Sequence, residues 1–309
     1  MRRDRKEAVL GRVRQENIYQ TILELNKEDI ASIYELCGVA GIARSSYYKW
    51  LNREVPEAER FNNIVAEIVE QIYDESPDKG YRRIRDDLAR NHNIHVSDKR
   101  VLRICRFLGI KSTIKYRNEG CTISDKDPQH IAENILDRDF HAERPNEKWL
   151  TDVTEFKYYN GAEKRKVYLS AILDLYDRRI VAYVIGDSNN NPLVYETFEK
   201  AAAMNPDAHP IFHSDRGFQY TSRFFHQKLI DHGMTQSMSR VGKCIDNGPM
   251  EGFWGILKRE RYYKRKFTSR EELVKMITDY IDYYNNKRYQ RRLGVLTPTE
   301  KHQQYMKAA

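Results

Sequence analysis

Apolar residues in the first third of the chain recur at three- and four-residue spacings, and beyond about residue 145 they change to alternation and short unbroken runs. The first texture predicts helices and the second predicts strands between helices. Residues 1–27 carry Val9, Leu10, Val13, Ile18, Ile22 and Leu25 at irregular helical spacing, which gives a charged helix without a sustained heptad. Residues 28–52 hold two short helical patterns around Gly38 and Gly41, the form of a helix-turn-helix, with Tyr47, Trp50 and Leu51 at i, i+3 and i+4 as its inward face. Arg44, Ser45 and Ser46 then stand at the start of its second helix, where DNA contacts are made.

The acidic stretch Glu54–Glu59 marks a boundary, and a second helical unit runs from about 60 to 110. One helix starts after Lys79-Gly80, and another follows Ser97, a residue suited to cap it. In that second helix Val101, Ile104, Cys105 and Leu108 form an apolar face. Lys99, Arg103 and Arg106 fall opposite, with Arg100 at the edge, as in a recognition helix in a DNA groove or in a merely solvated basic face. Residues 116–140 lack a period and read as a linker.

Strands are predicted over 148–158, 166–173, 179–185 and 210–213, the first two joined through an Asn160-Gly161 turn, with an optional further strand between the helices over 222–232 and 251–261. Helices are predicted over 192–203, 222–232, 251–261 and 271–285, followed by a basic tail. The expected organisation is a helix-turn-helix region over 1–55, a second such unit over 60–115, the linker, and an α/β domain over 141–309 with a mixed sheet covered by helices.

Bulk properties narrow the function. The chain has 309 residues, 40% hydrophobic and 32% charged, enough for two or three packed domains. Its net charge of +8 favours a polyanionic partner, most simply nucleic acid. No apolar run approaches the roughly 20 residues of a membrane span, and no apolar signal core follows the basic N-terminus, so a soluble cytoplasmic protein is expected. Cys37, Cys105, Cys121 and Cys244 form no C-x-x-C pair, which argues against a zinc knuckle or a disulfide framework.

Three carboxylates carry the chemistry. Asp152 lies in the β-like run Trp149-Leu150-Thr151-Asp152-Val153-Thr154, Asp215 follows the apolar stretch Pro210–Phe212, and Glu251 opens a helix 35 residues further on. Oxygen ligands drawn from two strands and a helix suit hard divalent cations, and paired ions are the usual device for cutting and joining phosphodiesters. Asp174 and Asp177 read instead as caps of the turn before Arg178. Asp246 reads as a turn residue close enough to Glu251 to merit a test. Glu260, nine residues after Glu251, is half a turn out of phase and faces away from the site. Lys258, seven residues after Glu251, shares its face. His213 is either a neighbour of the site or a buried, hydrogen-bonded residue, and Phe253 and Trp254 read as core packing.

Three motifs carry a family resemblance: Trp149-x-Thr151-Asp152-x-Thr154, His213-Ser214-Asp215-x-Gly217-x-Gln219-Tyr220, and Asp246-Asn247-x-x-x-Glu251-x-Phe253-x-x-x-Leu257-Lys258-x-Glu260. Gly80-Tyr81-Arg82-Arg83-Ile84, Tyr47-Tyr48-x-Trp50, Tyr280-Ile281-x-x-Tyr284-Asn285-x-x-Arg288 and Leu296-Thr297-Pro298 support it. Over about residues 30–305 the chain resembles DDE transposases of the IS3 family, of the second-reading-frame type, whose catalytic domain has an RNase H-like, retroviral-integrase-like fold. It departs from the family pattern at Asp177, where Ser is frequent.

The resemblance implies that Asp152, Asp215 and Glu251 bind two Mg²⁺ ions, with Mn²⁺ as a substitute, and that they cleave and join DNA at the ends of an insertion sequence. It implies that Lys258, otherwise a solvated helix lysine, holds terminal DNA. Arg240 and Lys243, on the Gly242-containing loop before that helix, either grip the strand being joined or belong to a flexible surface loop. Asn247 and Arg82 join Arg44, Lys99, Arg100, Arg103 and Arg106 as candidate DNA contacts. The expected partners are terminal inverted repeats, target DNA, further copies of the chain, and an upstream leucine-zipper helix-turn-helix protein, separate or fused. The expected setting is the prokaryotic nucleoid. Lys287, Arg288, Arg291 and Arg292 read as phosphate contacts in the tail or as a solvated cluster. Two other readings stand beside the enzyme: an RNase H-like nuclease that cuts without joining, and an inactive or partner-dependent DNA-binding regulator.

Overall fold

Asn160-Gly161 turns the chain back on itself as the alternation requires, with Gly161 at φ +62°. This hairpin, β1 (Lys148–Asn160) with β2 (Glu163–Asp174), is the spine of the domain in the computed structural model, which describes residues 17–54, 56–114, 130–263 and 265–308. With β3 (Ile180–Gly186), β4 (Ile211–Ser214) and β5 (Thr235–Met238) it builds one five-stranded sheet in the order β3-β2-β1-β4-β5. β1 pairs antiparallel with β2 and parallel with β4, and β5 continues the parallel side. This is the expected mixed sheet with flanking helices.

Each face of the sheet has its own core. Trp149, Ile172, Val181 and Phe212 pack under helices α7 (Asn191–Met204) and α8 (Arg223–Asp231). Leu150, Phe156, Val167 and Leu169 pack under α9 (Gly248–Leu257) and α10 (Arg270–Asn286), through Phe253, Trp254, Ile277 and Tyr280. Neighbours along β1 alternate between the two faces, so Asp152 shares the face of Leu150 and Phe156, beneath α9.

The chain divides into two compact units between Ile68 and Val69, inside helix α4 (Glu57–Glu75). In the first unit, α1 over 17–27, α2 (Ile33–Ala40) and α3 (Arg44–Leu51) enclose Tyr19, Ile22, Cys37 and Tyr47. Ser32 and Glu35 form a capping box at the start of α2, and Gly41 ends it at φ +66°. That left-handed turn suits glycine and gives the expected helix-turn-helix form. Residues 1–16 of the predicted N-terminal helix lie outside the described residues.

The second unit holds α5 (Tyr81–Asn91), α6 (Asp98–Phe107) and the sheet. Ser97 caps α6 by accepting from the Arg100 amide, and Val101, Ile104 and Cys105 are buried as expected.

Three segments differ from the expectations. Residues 116–129 of the linker lie outside the described residues, whereas 130–140 packs on the sheet: Leu136 is buried, its amide donates to Ser237 Oγ (3.0 Å), and the Met238 amide donates to Glu133 O. The helix after Glu251 changes from α to π over Lys258–Tyr262. The basic tail is folded: Thr297 caps a further helix, α11 (Pro298–Met306), with Glu300 closing the capping box. Arg288 is drawn inside, because a buried carboxylate there requires a cation, whereas Arg291 stays exposed at the surface. Arg288 pairs with Glu260, and Arg291 with Asp86 and Asp98.

Candidate active site

The register of two parallel strands brings the first two carboxylates together. Leu150 pairs with His213 at the end of the β1–β4 ladder, so two residues later Asp152 and Asp215 emerge side by side. Asp152 Oδ1 accepts from the Val153 amide (2.8 Å) and Asp215 Oδ1 from the Gly217 amide (2.9 Å). Burial pushes the Asp152 carboxyl above the usual carboxylate range, and the charges of Asp215 and, less strongly, Glu251 push it further. Burial raises Asp215 as well. All three carboxylates therefore lie within electrostatic reach, and like charges held this close favour an intervening cation.

Glu251 stands exposed in the first turn of α9. Among the described residues no three His, Cys, Asp or Glu side chains meet at metal-holding distance. The donor set nonetheless fits a hard divalent ion: two fixed carboxylates and a third on a long, solvent-facing side chain.

The floor beneath Asp152 is polar and tightly packed. Thr151 Oγ1 donates to Ala171 O (3.0 Å) and lies 3.2 Å from the Tyr220 hydroxyl. Asn247 is buried and its amide donates to Thr151 O (3.0 Å), tying the start of α9 to β1, while its Oδ1 is buried without a hydrogen bond. An Asn in that place acts on the sheet rather than on the surface. Gly217 leaves room for Asp215: a Cβ there would stand 3.1 Å from Asp215 Oδ1. His213 is buried between Ser237 Oγ (2.9 Å) and Ser239 Oγ (3.1 Å), and burial lowers its pKa to about 4, so it is a neutral packing residue.

Trp254 is the residue that sequence reasoning passed over. Its Nε1 donates to Asp152 Oδ2 (2.9 Å), so the helix that carries Glu251 also aims Asp152. Its signal was its place three residues after Glu251, on the same helix face.

Asp246 is an anchor of the loop before α9. It is fully buried, and it accepts from the Arg240 amide, Nε and Nη2 and from Arg138 Nε (2.6 Å). The Arg240 guanidinium holds its carboxyl far below the usual range. Arg240 is thus committed to Asp246, although its side chain stays 45% exposed. Lys243 is exposed on the same loop. The Lys258 ammonium lies 5.3 Å over the Phe156 ring, on the same sheet face as Asp152.

Lys99, Arg103 and Arg106 are exposed along α6 and Arg100 is half-buried. Arg82 is exposed in the first turn of α5, and Arg44 opens α3 with its guanidinium 5.0 Å over the Tyr34 ring. Asp174 and Asp177 cap the turn as expected, with Asp174 accepting the Tyr176 amide and Asp177 the Arg179 amide.

Glu260 does face away from the carboxylates, into a buried ion cluster. It accepts from Arg83 Nη1 (2.9 Å), Arg288 Nη2 (2.8 Å) and the Tyr280 hydroxyl (2.9 Å), and Arg83 also pairs with Asp78 (3.0 Å).

Integrase core domain families match residues 142–244 and 251–306, and an HTH-like domain family matches 60–118. The chain is 38% identical over 277 residues to InsK of insertion sequence element IS150 from Escherichia coli K12, covering 88% of this chain and 94% of that protein. It is 29% identical over 282 residues to the transposase InsF of insertion sequence IS3A from the same organism, covering 87% and 93%. Among solved structures, the HTLV-2 integrase catalytic core in complex with magnesium aligns with 52% of this chain and 99% of its own length, at 19% identity and a TM-score of 0.41. Among the described residues no helix is long and apolar enough to cross a membrane.

Proposed function

We propose, for a chain that belongs to the IS150/IS3 family of insertion-sequence transposases, that Asp152, Asp215 and Glu251 hold two Mg²⁺ ions and carry out cleavage and strand transfer at the element's ends. The observation that supports it most is the side-by-side exit of Asp152 and Asp215 from two parallel strands, with Glu251 within electrostatic reach. Bound Mg²⁺ would supply activation of an attacking oxygen and stabilisation of a leaving one. The chain's own part is to hold the ligands. The Val153 amide and Trp254 indole orient Asp152, the Gly217 amide orients Asp215, and Glu251 reaches in by rotating its side chain from the first turn of α9. No covalent protein–DNA step is required, so no Ser or Tyr nucleophile is assigned.

DNA is the partner. Lys258 on the catalytic side, Lys243 on the loop before α9, and the exposed basic face of α6 are the contacts we favour, with Arg44 contributing from the first unit. Joining two element ends calls for at least two copies of the chain on DNA. The test is incubation of element-end DNA with the protein and Mg²⁺, with EDTA as the control. Metal-dependent nicking and joined product support the reading. Nicking without joining would favour a nuclease, and binding without either reaction would favour a regulator or a chain that needs its upstream partner.

A further inference from the structure

Past Leu150, which pairs with His213, β1 has no strand on its outer side, and β2 has none on the tip side of Tyr168, which pairs with Gly186. Toward the tip the hairpin therefore runs on as a two-stranded arm. Its two faces differ. Phe156, Tyr158 and Val167 are buried on the side of Asp152. The other side continues the face of Trp149 and Val153 and carries Glu155, Lys157 and Tyr159 from β1 and Lys164, Lys166 and Tyr168 from β2. Lys157 stands directly opposite Lys166, an arrangement that costs stability in an antiparallel pair, and the two share one carboxylate, Glu155, at 3.3 and 2.8 Å. Lys164 is exposed opposite Tyr159. The Tyr159 amide donates to Phe267 O, which lays the segment before α10 along the arm, and the Lys266 ammonium from that segment lies 5.0 Å over the Tyr159 ring. The stripe thus sets four ammonium groups against Glu155. Lysines act on phosphates as point charges, and the stripe holds none of the forked Arg, Asn or Gln side chains suited to reading base edges.

We propose that this stripe is a sequence-blind seat for the backbone phosphates of target DNA, with Lys164 and Lys266 as its outer contacts. The proposal rests on the transposase reading and deepens it. Tyr159 lies seven residues beyond Asp152 on β1, about 23 Å along the strand, so the stripe touches no reacting atom and acts by positioning. It also lies on the opposite side of the hairpin from Phe156 and the Lys258 ammonium above it. A duplex on the stripe is therefore a different one from the element end assigned to Lys258. Joining requires such a second duplex, and a target of unspecified sequence calls for contacts that read charge and not bases.

The test pairs the salt dependence of binding to a short generic duplex, followed by fluorescence anisotropy of labelled DNA, with assays of end cleavage and of joining to a plasmid target. Each phosphate contact adds about 0.9 to the slope of log K against log salt. The Lys164→Gln/Lys266→Gln double variant is expected to lose about 1.8 units of slope and to join less product to the plasmid, while it cleaves element ends as wild type does. Lys164→Arg/Lys266→Arg keeps the wild-type slope, and Lys275→Gln, on the exposed face of α10, changes nothing. Urea unfolding midpoints equal to wild type show that the variants are folded. An unchanged slope in the Gln double variant would overturn the seat. End cleavage that falls in step with joining would overturn it as well, because the stripe would then hold the element end. A wild type that neither binds duplex DNA at low salt nor nicks element ends with Mg²⁺ would sink the transposase reading itself, whereas a wild type that nicks, beside a double variant of unchanged slope, would sink the seat alone.

Discussion

Replacing Glu260 by Gln removes one buried negative charge and leaves the shape of the side chain intact. Glu260 is 6% exposed, and it accepts two hydrogen bonds from Arg288 Nε (3.2 Å each), one from Arg288 Nη2 (2.8 Å), one from Arg83 (2.9 Å) and one from Tyr280 (2.9 Å). In the variant one oxygen becomes an amide donor that faces guanidinium donors. Breaking a buried pair by removing one partner costs about 3–5 kcal/mol. Asp78 still pairs with Arg83 at 3.0 Å but is shared with Arg261 at 3.0 Å, and the buried Arg288 loses its carboxylate, so a cost of about 3–5 kcal/mol is expected. With a urea dependence of about 1–3 kcal/mol per molar, the midpoint of urea unfolding falls by about 1 M or more.

The pH dependence has a definite sign. Burial opposes ionisation of Glu260, but the guanidiniums of Arg288 and Arg83 outweigh it and hold its pKa below the usual value. A depressed folded pKa contributes stability that is present above the unfolded value, about 4.3 for Glu, and is lost as pH falls through the folded value. The gap between wild type and E260Q is therefore full at pH 7 and closes as pH falls below about 4. Urea titrations of the DNA-free chain at several pH values, followed by tryptophan emission, measure it. Equal midpoints at pH 7, or a gap that widens on acidification, would refute the ion-cluster argument.

Asp152→Asn should abolish strand joining yet stabilise the metal-free protein. The folded pKa of Asp152 is raised, so its charge costs stability increasingly as pH climbs above the usual carboxylate range. In thermal unfolding, Mg²⁺ should raise the Tm of wild type and leave that of the variant unchanged. A variant less stable than wild type at pH 8 would contradict this. Trp254→Phe keeps the packing and removes a hydrogen bond to a charged group, worth about 1.5–3 kcal/mol. Joining should fall by roughly ten- to a hundredfold with more metal required, and an unchanged metal requirement in a Mn²⁺ titration would count against the indole's role. Gly217→Ala should reduce joining through Asp215 and leave the unfolding free energy within about 1 kcal/mol of wild type; full joining activity would show that the Asp215 carboxylate tolerates the added Cβ.

Most of the fold was legible because its signals are local. Alternation located β1, β2 and β3, Asn160-Gly161 fixed the hairpin, and Ser97 capped α6 as its type demands. The carboxylates were legible for a different reason: each sits in a short motif whose neighbours, such as Gly217 beside Asp215, are constrained by the same geometry. Glu260 was placed on the correct side by helical phase alone, but its partners were hidden. Arg83 lies 177 residues away, and only the folded chain brings the two together. The same blindness leaves Arg288 and Arg291 readable only as phosphate contacts or a solvated cluster, since charge patterning does not reveal that Glu260, Asp86 and Asp98 pair with them. Trp254 reads as core packing and its ring is indeed buried, but nothing local marks which buried indole has an acceptor to serve.

The central claim is that three carboxylates on β1, after β4 and on α9 form one metal-dependent centre for joining DNA. Its most direct test is strand joining on the element's own end DNA with Mg²⁺, comparing wild type with Glu251→Gln. The account predicts joined product from wild type and none from the variant, with DNA binding of the two equal. Joining that survives in Glu251→Gln would contradict it.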